Sequence, residues 1–296
     1  MVQPQVAGIV KDGLGRVRSG WVLLTFAAAN AVLYFALMAL TALVGLYPKS
    51  PTRLDDWGLL GTSSAVLFSA LGASLLCKLL FKAELGLHPP VGRGLAIGAV
   101  AGIAAISIAS LGGLAVENAS ITWGGATLGA GLMQLAAIGP TSVGEELLIR
   151  GVVLRQLARG INATVAIVAT GAFFGVMHLG NPNVSLIAAA NIALVGSWFG
   201  LLVWRTGTLW TSIALHVVWN WFEGFVYGTP VSGLIPGPSV FAIDSGTIPG
   251  FWTGGRFGPE AAGITTAMLV AANLLTLAWR RPRGARAPAP SGEGHG

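Results

Sequence analysis

Two adjacent carboxylates and a guanidinium interrupt an apolar run at Thr141-Ser142-Val143-Gly144-Glu145-Glu146-Leu147-Leu148-Ile149-Arg150. Charged groups in a membrane span cost about 2.5–3.5 kcal/mol each to insert, so those present line a cavity or pair with one another. Glu146 and Arg150 stand four residues apart with the acid N-terminal, the favoured orientation for a pair on one helix face. Glu145 points about 100° away and stays free of that pair. Two other apolar stretches carry polar stripes of the same spacing: Phe174 with His178, and His216 with Asn220. An acid pair, a histidine and a His/Asn pair suit proton transfer to or from water and stabilisation of an oxyanion. Glu145, His178 and His216 could equally be three ligands of an open zinc site. No serine or cysteine carries a nucleophile motif, no Gly-rich loop suits phosphate, and the His-Glu-x-x-His of soluble zinc proteases is absent.

The elements that hold these residues follow from composition. Of 296 residues, 54% are hydrophobic and 9% charged, against roughly 25% charged in ordinary globular chains. The apolar residues come in eight blocks, near 20–47, 57–77, 94–116, 124–144, 161–179, 184–204, 206–222 and 261–279. A helix needs about 20 apolar residues to cross a hydrocarbon core. Most blocks reach that length; the last three are short or borderline. Backbone groups in lipid must bond within their own segment, so each block is expected to be helical. The fold class is therefore all-α, a polytopic transmembrane bundle of about eight spans with a four-helix core carrying the polar motifs.

The organisation expected is a cytoplasmic basic arm over 1–19, N-terminal transmembrane helices over 20–120 and the motif-bearing core over 121–227. An extracytoplasmic Gly/Pro-rich loop follows over 228–260, then a final span over 261–281 and a disordered cytoplasmic tail over 282–296. The first block is too long for the apolar region of a signal peptide and reads as a retained helix. Of the 17 Lys and Arg residues, 14 fall on one side of this topology, leaving Lys49, Arg53 and Arg256 opposite. Positive loops stay inside, so both termini are expected in the cytoplasm, as an even number of spans requires. Pro140 is expected to kink or restart the fourth helix. Arg155 and Arg159 read as interface anchors, which puts Glu145 about 21 Å deeper than Arg159 along a helix.

Other polar residues have blander readings. Net charge +6 reflects basic residues flanking spans and meeting anionic headgroups, not nucleic-acid binding. Cys77, the single cysteine, excludes a disulfide framework and a cysteine metal cluster. His88, beside two prolines, reads as a solvated loop residue and His295 as part of the tail. Asn191 reads as interhelical packing, Glu223 as interfacial near an outer end, and the spacing of Gly196 and Gly200 as ordinary close packing.

Taken together, Glu145, Glu146 and Arg150, then Phe174 and His178, then His216 and Asn220 resemble the three ordered motifs of the CPBP (Abi) membrane proteases. That family includes the type II CAAX prenyl endopeptidases. The resemblance covers about 141–225. It implies peptide-bond hydrolysis by water that Glu145, assisted by His178, deprotonates. His216 and Asn220 would hold the oxyanion, and Glu146 with Arg150 would be the structural pair orienting the site. Family members have been described both as metalloproteases and as glutamate-dependent enzymes, so a divalent metal such as zinc and no cofactor at all both stay open; Asn220 suits an oxyanion donor better than a zinc ligand. The expected partners are a peptide or protein substrate at the membrane, of CAAX or bacteriocin type or another class, and the lipid bilayer. The expected location is a bacterial plasma membrane. The rival reading is a non-catalytic immunity or scaffold protein of the same fold. A proton-coupled transporter comes third, because the early spans lack polar residues.

Overall fold

The computed structural model describes residues 9–12, 17–50, 52–117, 120–244 and 250–279. The expected tail over 282–296 and most of the basic arm lie outside the described residues. The apolar blocks become helices α1 (Ser19–Leu43), α2 (Gly58–Phe81), α3 (Val91–Glu117) and α4 (Leu128–Glu146). After α4 the chain widens into a π-helical stretch, Leu147–Val153, and continues as α5 (Leu154–Gly160). Then come α6 (Ala163–Met177), α7 (Leu186–Thr206), α8 (Trp210–Trp221) and α9 (Gly263–Ala278). Among the described residues, five helical segments are long and apolar enough to cross a membrane by length and composition: Ser19–Leu43, Gly58–Phe81, Val91–Val116, Ala163–Gly180 and Leu186–Thr206. Large apolar side chains such as Leu79, Val100, Val168 and Leu275 face outward, as a surface solvated by lipid allows and one solvated by water rarely does. The protein is an integral membrane helical bundle.

Local sequence explains where the helices begin. Thr127, Asn162 and Ser185 each accept a hydrogen bond from the amide three residues on, capping α4, α6 and α7. Pro140 does not break α4, which runs through it to Glu146. A neighbouring hydroxyl serves the backbone beside the proline: Ser63 donates to the Ala137 carbonyl and is itself held by Thr141, which donates to Ser63 Oγ at 3.0 Å. Such side-chain rescue is what permits proline within membrane helices. The irregularity lies instead just beyond Glu146, in the π-helical stretch, a feature often found beside functional sites.

Helices pack in pairs, α1 on α2, α3 on α8 and α6 on α7, while α4 bridges α2 and α8 and α7 reaches α9. Small residues let them approach. A Cβ on Gly98 would collide with the Thr211 carbonyl of α8, so that seam requires glycine. The core joins α3, α6, α7, α8 and α9 through Ile106, Phe174, Ile192, Phe199, Leu215 and Leu269.

The stretch over 228–260 departs from a plain loop. Strand β1 (Ser120–Trp123) pairs antiparallel with β2 (Phe241–Asp244), Ser120 opposite Asp244. A 3-10 turn, Pro259–Ala261, leads into α9. Gln134 of α4 donates to the Pro238 carbonyl at 3.0 Å, and Asn181 donates to the Ser232 carbonyl at 3.1 Å. The segment is thereby fastened to α4 and to the turn after α6.

Candidate active site

Glu145 is the penultimate residue of α4, His178 follows α6 in a 3-10 turn, and His216 and Asn220 share one face of α8. All four, with Phe174, line one cavity of about 250 Å³. The structure thus brings together the first, second and third motifs, though the tightest packing contacts of α6 are with α7 rather than α8. Glu146 and Arg150 stand behind the cavity wall, both fully buried.

Arg150 is held from four sides. Its Nη1 donates to Glu146 Oε1 at 2.7 Å and its Nη2 to the Gly196 carbonyl at 2.9 Å. Its guanidinium lies 4.5 Å from the centroid of the Phe174 ring and 5.2 Å from that of Phe199, close enough for cation–π attraction. Gly196 has room for no more: a Cβ there would sit 3.1 Å from Arg150 Nη2 and 3.0 Å from Phe174 Cβ. The spacing read as ordinary packing therefore serves the motif arginine directly.

The hydrogen bonds also fix which atoms can donate. His178 Nδ1 lies 2.8 Å from the Phe174 carbonyl oxygen. A carbonyl only accepts, so Nδ1 carries the proton and a neutral His178 presents its Nε2 lone pair. His216 Nδ1 lies 3.2 Å from Glu146 Oε1, and its Nε2 lies 3.8 Å from Glu145 Oε2. Glu146, paired with Arg150, acts as acceptor, so His216 Nδ1 is protonated too. Ser142 Oγ donates to the Ile138 carbonyl at 3.0 Å and must therefore accept from Asn220, 3.1 Å away. This orients the Asn220 amide and leaves its second N–H unengaged by Ser142.

A resident metal fits this arrangement poorly. Both rings keep Nε2 free while Nδ1 faces an acceptor, as metal-ligating histidines also do, but among the described residues no three His, Cys, Asp or Glu side chains converge so as to hold a metal ion. Glu145, His178 and His216 border one cavity without forming a ligand set.

Four contributors carry no sequence signal of their own. Ser142 and Phe199 act through Asn220 and Arg150; Ser232 and Glu260, from opposite ends of the 228–260 segment, line the cavity. Glu223 is fully buried rather than interfacial, because α8 continues into a π-helical turn, Phe222–Val226, that tucks it beneath the segment. Asn191 does more than pack: it donates to the Glu260 and Ala262 carbonyls at 2.8 and 3.0 Å, pinning that turn.

Residues 120–222 match the family model described as type II CAAX prenyl endopeptidase Rce1-like. The matched stretch contains all three motifs. No curated protein and no solved structure matches the chain.

Proposed function

We propose that this chain, a membrane protein of the CPBP protease family, hydrolyses peptide bonds within the cavity between α4, α6 and α8. The observation that carries this reading is the convergence of Glu145, His178, His216 and Asn220 on one cavity. Water bound between the Glu145 carboxylate and His178 Nε2 gives up a proton as its oxygen attacks the scissile carbonyl. General-base assistance of this kind contributes about 10²–10⁴-fold. Negative charge develops on the carbonyl oxygen and is met by the Asn220 amide and by His216. Because Nδ1 of His216 faces Glu146, an Nε2–H donor means a doubly protonated ring. Glu146, held by Arg150, supports that cation. Oxyanion donors of this type are worth about 2.7–4 kcal/mol each. Collapse of the tetrahedral intermediate breaks the C–N bond, and the proton taken from water leaves on the amine. No step requires a metal.

The substrate class is a peptide segment presented at the membrane. The test is incubation of purified protein in liposomes with a prenylated CAAX peptide and a set of membrane-protein fragments, reading new termini by mass spectrometry. Cleavage of at least one is expected, undiminished by a chelator and lost in His178→Ala. Failure of a folded protein to cleave any of them would favour the scaffold reading, and chelator-sensitive cleavage would favour metal chemistry.

A further inference from the structure

The cavity wall contains a carboxylate that the hydrolytic scheme does not use. Glu260 lines the cavity with the motif residues, only 9% exposed. Its Oε2 accepts from Ser232 Oγ at 2.6 Å. Its position is enforced by the backbone: Asn191 grips the Glu260 and Ala262 carbonyls, Thr266 Oγ1 donates to Asn191 Oδ1 at 2.7 Å, and Thr265 Oγ1 donates to the Pro259 carbonyl. A turn held by this many bonds aims its side chain rather than letting it drift.

Among the described residues no Lys or Arg side chain neutralises this acid. No Lys, Arg or His nitrogen among them forms an ion pair with Glu260. Its titratable neighbours are the rings of His178 and His216 and a second carboxyl, Glu223. Both rings already have an Nδ1 contact, with the Phe174 carbonyl and Glu146 respectively. Glu223 is fully buried, and its Oε1 has no hydrogen-bond partner. No Lys or Arg lines the cavity, whereas Glu145 and Glu260 both do. Burying a carboxylate without a cation is costly, and the deficit is largest where a second acid lies near.

We propose that Glu260 is a specificity residue that receives a cationic side chain, Lys or Arg, of the peptide substrate. The proposal rests on the endopeptidase reading and names the substrate class for it. Much of the remaining wall is apolar, with Leu54, Leu59, Ile138, Val231 and Leu234 beside the uncharged Thr62, Ser63 and Thr141, which suits a largely apolar segment carrying a single basic residue. The same acid works against a peptide whose own C-terminal carboxylate enters the cavity, since like charges in a low-dielectric site repel.

The test reads binding, so that it does not depend on turnover. Full-length Glu145→Gln protein in nanodiscs is titrated with three acetylated, amidated decapeptides of leucine and alanine that differ only at one central position: lysine, norleucine or glutamate. The lysine peptide is expected to bind at least tenfold more tightly than the norleucine peptide, and the glutamate peptide more weakly than either. Adding Glu260→Gln should remove the lysine preference while leaving norleucine affinity within about twofold. Equal affinity for lysine and norleucine peptides, or no binding of any, overturns the proposal, as does a lysine preference that survives Glu260→Gln. Should Glu260→Gln disturb folding, Ser232→Ala, which frees Glu260 without removing its charge, must keep the lysine preference. Selective binding without cleavage by wild type would count against the endopeptidase reading alone; cleavage without selectivity would count against Glu260 alone.

Discussion

Arg150 and Ser142 illustrate how much of this site is maintained by residues that never meet substrate. Arg150 is buried with Glu146 and two aromatic rings, and removing one partner of a buried pair strands the other charge. Arg150→Met is expected to lower unfolding stability by about 3–5 kcal/mol, read as thermal unfolding in detergent. Adding Glu146→Leu should restore much of that stability, because an apolar pair replaces an ionic one. Activity should stay lost, because His216 Nδ1 then has no acceptor. A double variant that recovered both would show that Glu146 has no part in setting the His216 ring. Ser142→Ala removes the atom that Asn220 donates to, so kcat is expected to fall roughly tenfold with KM and unfolding temperature little changed. The Glu146–Arg150 pair was legible from spacing alone, because residues four apart on a helix meet. Ser142 with Asn220 was not, because a contact spanning 78 positions leaves no local pattern.

At the scale of elements, the helices follow from apolar block length, while their irregularities follow from tertiary contacts. Pro140 reads in sequence as a break, and it is tolerated because Ser63, itself held by Thr141, reaches the backbone beside it. The π-helical stretch after Glu146 has no signature in composition. Helix α8 is only 12 residues long, and its polar stripe is affordable because α3, α4 and α7 surround it. Gly98→Val tests that dependence. The added side chain must push α8 away at the Thr211 carbonyl, an overpacking cost of about 1–3 kcal/mol. His216 and Asn220 ride on α8, so cleavage should fall further than stability does. Wild-type activity in a stable Gly98→Val protein would mean that the α3–α8 seam does not position the site. The 228–260 segment shows the opposite case: its Gly/Pro content identifies a non-helical connection, yet its docking onto Gln134 and Asn181 and its delivery of Glu260 depend on partners far away in the chain.

For the whole molecule, a lipid-solvated exterior surrounds a small cavity that holds the motif side chains, and the account stands on that cavity being where water attacks a peptide bond. The three motifs arise on α4, α6 and α8, and the chain matches a protease family over the residues that hold all three. Hydropathy and motif spacing made that assembly legible; the acid contributed by the far loop stayed hidden, because it bears no fixed spacing to any motif. The most direct measurement is the cleavage rate of wild-type protein and Glu145→Gln, reconstituted side by side in liposomes with the same substrate and matched unfolding temperatures. The account predicts a loss of at least about 10²-fold, with substrate affinity retained. A Glu145→Gln protein that cleaves at the wild-type rate would contradict it, because the water would then be activated by some group other than Glu145.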